Sequence, residues 1–78
     1  MPLYYFNVYN DDTTLDYEGA ELADDQAAEA YAITAARSLA AETVLRGHLT
    51  PSHRVESVDS EHKPVGVVRF DEAVEIRR

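Results

Sequence analysis

Between Pro2 and Tyr9 the chain alternates. Tyr4, Phe6 and Val8 fall on one face, and Leu3, Tyr5, Asn7 and Tyr9 on the other. A period of two with aromatic and β-branched side chains predicts a half-buried strand. Asn10-Asp11-Asp12-Thr13 is turn chemistry. Thr14–Glu18 then reads as a second, shorter strand, with Leu15 and Tyr17 on one face and Asp16 and Glu18 on the other. The two segments lie close enough in sequence to pair as a hairpin. Gly19 ends it, where the chain is expected to need a positive φ.

The period then changes from two to 3.6. From Gln26 to Arg46 there is no proline or glycine, and most residues are good helix formers. Asp24 is a natural N-cap, and Gly47 stops the run as the residue after the C-cap. At 100° per residue, Ala28, Ala32, Ile33, Ala36, Leu39, Ala40, Thr43 and Val44 share one half of the helical wheel. Thr34, Arg37, Ser38 and Glu42 fall largely opposite. The apolar half predicts a helix lying on a sheet, and its alanines predict a close approach.

After a His48–His53 loop, Arg54–Asp59 and Pro64–Phe70 read as two strands joined by a Ser60-Glu61-His62-Lys63 turn. Gly66 predicts a bulge or a close contact. Asp71-Glu72-Ala73 reads as a bend, and Val74-Glu75-Ile76 as a short closing strand. The order is ββαββ. It predicts an α+β fold of two layers, one long helix packed on a mainly antiparallel sheet of about four strands.

With 78 residues, residues 1–78 are expected to form one domain. The absence of cysteine excludes a disulfide framework and a cysteine-ligated zinc site. A chain this short buries only about 60% of its unfolded surface. Its thin core calls either for efficient packing or for a second copy to complete it. The apolar start carries no basic residue and no h-region follows it, which predicts a cytoplasmic protein. Glu29, Arg37 and Glu42 interrupt the helix, so it is not expected to span a membrane.

The net charge of -8 is unevenly placed. Asp11, Asp12, Asp16, Glu18, Glu21, Asp24, Asp25 and Glu29 all precede the first lysine or arginine, while acids and bases balance in the remainder. Acids near a helix start need no functional explanation, because they offset the positive end of the dipole. The others could steer a basic partner.

Several blocks together resemble a known family. They are Met1-Pro2-x-Tyr4-x-Phe6-x-Val8, Asp16-x-Glu18-Gly19-x-Glu21-Leu22-x-Asp24, Ala27-Ala28 leading a helix with Ala35-Ala36-Arg37-x-Leu39, Val55 to Asp59, and Phe70-x-x-Ala73-Val74-Glu75-Ile76. In that order and length they resemble a family of small bacterial domains of unknown function. The resemblance implies a compact α+β domain and no established activity, so no catalytic residue carries over. The chain departs from the family pattern at the second hairpin, where His62 replaces a usual glycine, which bears on the turn type. Strand-strand-helix order alone also resembles small antitoxin domains.

Candidate chemistry is sparse. His48 and His53 are five apart across a proline-containing loop, not at the helical i, i+4 spacing of a metal pair, and with His62 they read as surface loop residues. No metal ligand or cofactor is expected. There is no nucleophile elbow and no glycine-rich phosphate loop. Asp16 and Glu18 could form a carboxylate pair, but alternating acids on an exposed strand are ordinarily solvated. Nucleic acid is disfavoured, because the acids outnumber the bases that phosphate contact requires.

What remains is an interaction surface. If the helix covers Tyr4 and Phe6, then Leu3, Tyr5 and Tyr9 are left to solvent or to another subunit, and tyrosine suits interfaces. Asp16, Glu18 and Glu21 have no local explanation and complete the candidate surface. The reading is a small non-enzymatic protein-interaction module, with a second copy or a basic protein as partner. The alternative is an antitoxin-like regulatory module that masks a basic partner through its acidic N-terminal segment.

Overall fold

Leu3–Tyr9 forms β1, the strand around which the sheet is built. The computed structural model describes residues 1–75 and 77. On one side β1 pairs antiparallel with β4 (Arg54–Asp59), from Tyr4↔Asp59 to Tyr9↔Arg54. On its other side lie β2 (Thr13–Thr14) and β3 (Ala20–Glu21), both antiparallel to it. β5 (Pro64–Arg69) pairs with β4 and forms the far edge, giving a five-stranded sheet.

The expected Thr14–Glu18 strand is thus replaced by two short strands and a loop between them. Asp16 is the reason. Its Oδ2 accepts the Phe6 N–H at 3.0 Å, and its own N–H donates to Asn7 Oδ1 at 3.0 Å. Local side-chain bonds of this kind compete with a ladder, and here they interrupt it. Leu15 and Tyr17 are both exposed rather than lining one face of a strand. Gly19 adopts φ +73, as expected.

The α1 helix (Asp25–Leu45) connects β3 to β4 and lies closest to β4 and β5. Asp24 caps it, accepting the Ala27 N–H at 2.8 Å. At the other end Gly47 has φ +94. Its N–H donates to Val44 O and that of His48 to Thr43 O, the paired bonds of a Schellman motif. Ala28, Ala32, Ala36 and Ala40 are buried against Tyr4, Phe6, Val55, Val68 and Phe70. Val44, expected on the buried face, is exposed. A helix of this length runs about 30 Å, whereas six- or seven-residue strands span about 20 Å. The last turn therefore outruns its support.

Because the alanine ridge sets the distance between the layers, Ala36→Leu is expected to destabilise the protein by about 2 kcal/mol through overpacking. Thr34→Leu on the exposed side is expected to stay within about 0.5 kcal/mol. Urea melts compare them, and coincident midpoints would place the helix in a different rotation.

At the second hairpin Asp59 Oδ1 accepts the N–H groups of Glu61 and Lys63, both at 2.9 Å. His62 takes φ +64, a conformation suited to glycine. The register shifts from Ser57↔Gly66 to Val58↔Pro64, so the expected bulge lies beside Gly66, at Val65. The last strand ends at Arg69, one residue earlier than expected. Instead of a bend there is a short helix, α2 (Phe70–Ala73). Arg37, placed on the solvent side by the wheel, donates from Nε to Ala73 O over 2.6 Å and ties the two helices together. Val74 and Glu75 form no strand, and Ile76 lies outside the described residues. No helix among the described residues is long and apolar enough to cross a membrane.

Candidate interaction surface

The helix covers the Tyr4, Phe6 and Val8 side of β1, as the alternation predicts. Leu3, Tyr5 and Tyr9 point to the opposite face, and all three are half-buried. Two local arrangements account for the partial cover of the two tyrosines. Tyr9 donates its hydroxyl hydrogen to Glu56 Oε1 at 3.2 Å, and Arg54 lies over the Tyr9 ring, 4.6 Å from its centre. Asn7 Nδ2 reaches the same carboxylate oxygen at 3.5 Å. Tyr5 stacks on His62 with ring centres 5.1 Å apart and an interplanar angle of 16°.

Pairing explains these neighbours. Tyr9 sits opposite Arg54, Asn7 opposite Glu56 and Tyr5 opposite Val58, so their side chains share a face. Glu56 pairs in turn with Val67 on β5, and Val67 is exposed. The open face thus joins aromatic rings, a carboxylate hub and an apolar edge. Glu56, Arg54, Asn7 and His62 were missed from the sequence. Their signal was present, because Arg54 and Glu56 alternate with Val55 and Ser57, but it needed the strand register to be read.

The acidic trio divides by environment. Asp16 Oδ1 accepts the N–H groups of Glu18 and Gly19, both at 3.1 Å, while Oδ2 accepts that of Phe6. Burial alone would push its carboxyl up, but these amides outweigh it and hold the group below the usual carboxylate range. The Asp16 carboxylate therefore ties its own loop to β1. Glu18 and Glu21 are exposed, along with Asp11 and Asp12.

The histidines divide as well. His48 and His62 are exposed, but His53 is buried, contrary to its reading as a surface loop residue. Its ring meets Phe70 edge-on, its Nε2 lies 3.4 Å from Asp11 Oδ1, and its Nδ1 has no hydrogen-bond partner among the described residues. The loop returns it to the core because its carbonyl continues the β4–β5 ladder to Phe70. Among the described residues no group of three or more histidines and carboxylates converges as a metal site would require.

On the helix side, Tyr4 donates its hydroxyl hydrogen to Asp25 Oδ1 at 2.8 Å. That bond, with burial and the surrounding acids, pushes the phenol up to about 12. Tyr9 is raised too, by burial and then by Glu56. Ordinary tyrosines ionise near pH 10. The folded value for Tyr4 lies above that, so its contribution is complete below about pH 10 and lost as pH rises through about 12. In an alkaline ultraviolet titration the last phenol to ionise is expected to vanish in Tyr4→Phe. A titration curve whose final step survives the substitution would assign that step elsewhere.

Comparison with curated proteins and with solved structures returns no match. One family does match: over residues 3–71 the chain fits a domain of unknown function, DUF6894. The match takes in the whole sheet and α1, and we conclude that the chain belongs to the DUF6894 family.

Proposed function

We propose that the protein is a small non-enzymatic interaction module that binds a protein partner through the open face of its sheet. The observation that carries this reading is the uncovered layer. One helix packs on one face, while Tyr5, Tyr9 and Val67 on the other have no helix or strand over them among the described residues. The Glu56 hub holds Tyr9 in place, so less rotamer freedom is lost when a partner docks. A second copy of the chain or a different protein would both bury this face.

The antitoxin-like reading draws on the exposed Asp11, Asp12, Glu18 and Glu21. It loses Asp16, whose carboxylate serves its own loop. It also requires association that slows markedly with salt, as steering by exposed charge does.

A photo-crosslinking amino acid placed at Val67 tests the open face in cells. The expected result is a discrete protein adduct from position 67 and none from Ser38 on the exposed side of α1. Adduct mass then separates a second copy from another protein. Equal adducts from both positions, or none from either, would sink the proposal.

A further inference from the structure

β5 is the last strand of the sheet, and among the described residues no strand pairs with its outer edge. The direction of its main-chain groups follows from one bond. Phe70 N–H donates to His53 O over 2.7 Å, one step beyond the Arg54↔Arg69 pair. In an antiparallel ladder, bonded and non-bonded pairs alternate. Phe70, Val68 and Gly66 therefore turn their main-chain groups toward β4, and Val67 and Arg69 turn theirs outward. Glu72 Oε1 already accepts the Arg69 N–H at 3.0 Å. Pro64, which has no N–H, bounds the other end. The open stretch is short and centres on Val67.

A cleft of about 360 Å³ runs along this stretch, between Val65–Val68 on one side and Asp25, Gln26 and Glu29 of α1 on the other. Its charge is of one sign. Asp25 and Glu29 are acidic, and among the described residues no base lines the cleft. Asp25 is partly engaged by the Tyr4 hydroxyl. Glu29 is exposed and available.

We propose that this cleft takes an extended basic segment of a partner protein, added to β5 as a further strand. Strand addition draws affinity from main-chain bonds and specificity from alternate side chains. Here the outward amide and carbonyl of Val67 supply the first bonds. Side chains of the added strand that point toward α1 meet Asp25, Gln26 and Glu29, which calls for lysine or arginine. Those pointing the other way lie beside the Val67 side chain on the open face, which calls for apolar residues. The recognised pattern is therefore basic and apolar residues in alternation. The net charge of -8 favours the encounter. This site uses the sheet edge and meets the open face at Val67.

The test uses the whole chain labelled for amide NMR and a short capped peptide that alternates lysine and valine. A glutamate–valine peptide serves as control. The expected result is saturable shift changes at Val65–Val68 and in the first turns of α1, with the control peptide silent. Glu29→Lys is expected to weaken binding about fivefold or more, and raised salt to weaken it further. Since Glu29 is exposed, its replacement should leave the remaining spectrum unchanged. Shifts confined to Tyr9 and Glu56, equal binding of both peptides, or no change at millimolar peptide would each overturn the proposal. So would light scattering that shows a dimer whose interface protects the Val67 amide from exchange. An adduct from Val67 arises from either site, whereas one from a crosslinker at Tyr5, on β1 with β4 between it and the edge, belongs to the open face alone.

Discussion

Gly19→Ala is expected to lower stability by about 3 kcal/mol, whereas Gly47→Ala lowers it by about 1 kcal/mol. Both glycines adopt positive φ, +73 and +94, so both replacements carry the penalty of a left-handed backbone. Only Gly19 adds a collision. A Cβ there would sit 2.7 Å from the Tyr4 carbonyl oxygen, 3.0 Å from Leu3 Cδ1 and 3.2 Å from Tyr5 Cδ1. The first of these is backbone at the centre of the sheet, which cannot swing aside as a side chain would. At Gly47 nothing lies within 4 Å. Urea denaturation of the two variants measures the difference. Equal losses would mean that the loop before β3 shifts without cost, and that β1 is not clamped there.

Removing the carboxylate of Asp16 is expected to cost about 1–3 kcal/mol, because three main-chain N–H groups lose a charged acceptor together. Asp16→Asn retains one carbonyl oxygen and is expected to recover part of that loss. The pH dependence follows from the sign of the shift. The folded carboxyl is held below the usual carboxylate range, so its contribution is complete above about pH 4, where the unfolded chain is already ionised. It is lost as pH falls further, through the folded value. Wild type is therefore expected to lose stability more steeply than Asp16→Ala below about pH 4, and the two melting curves should converge. Parallel curves down to strongly acid pH would show that the carboxylate contributes nothing in its charged form. Because Gly19 N–H is one of the Asp16 donors, the Gly19 and Asp16 replacements are expected not to add.

These results bear on the acidic surface. Neutralising Asp16, Glu18 and Glu21 together would mix a structural loss with any loss of steering. Glu18 and Glu21, both exposed, are the pair to change when charge alone is at issue.

Much of the architecture was legible because it depends on periods and caps, which are local. The alternation of Tyr4, Phe6 and Val8 placed the covered face of β1, and Asp24 and Gly47 bounded α1 within a residue of its observed ends. The candidate surface was only partly legible. Leu3, Tyr5 and Tyr9 followed from the same alternation. Glu56, Arg54 and His62 depend on which strand lies beside β1 and in what register, and a single sequence carries no direct sign of either.

The sequence by itself thus determined β1, α1 and the β4–β5 hairpin, the helix limits, the buried alanine ridge and the turn glycines, since each follows from side-chain spacing or from a backbone conformation that few residues adopt. Tertiary structure decided the rest. It placed β4 against β1 and left β5 at the edge. It turned Asp16 inward, because three amides near the gap between β2 and β3 offered a carboxylate more than water did. It buried His53, because the ladder to Phe70 drew the loop into the core. Each of these outcomes is a contest between distant groups for the same hydrogen bonds and the same space, and the result is fixed only once the chain has closed on itself.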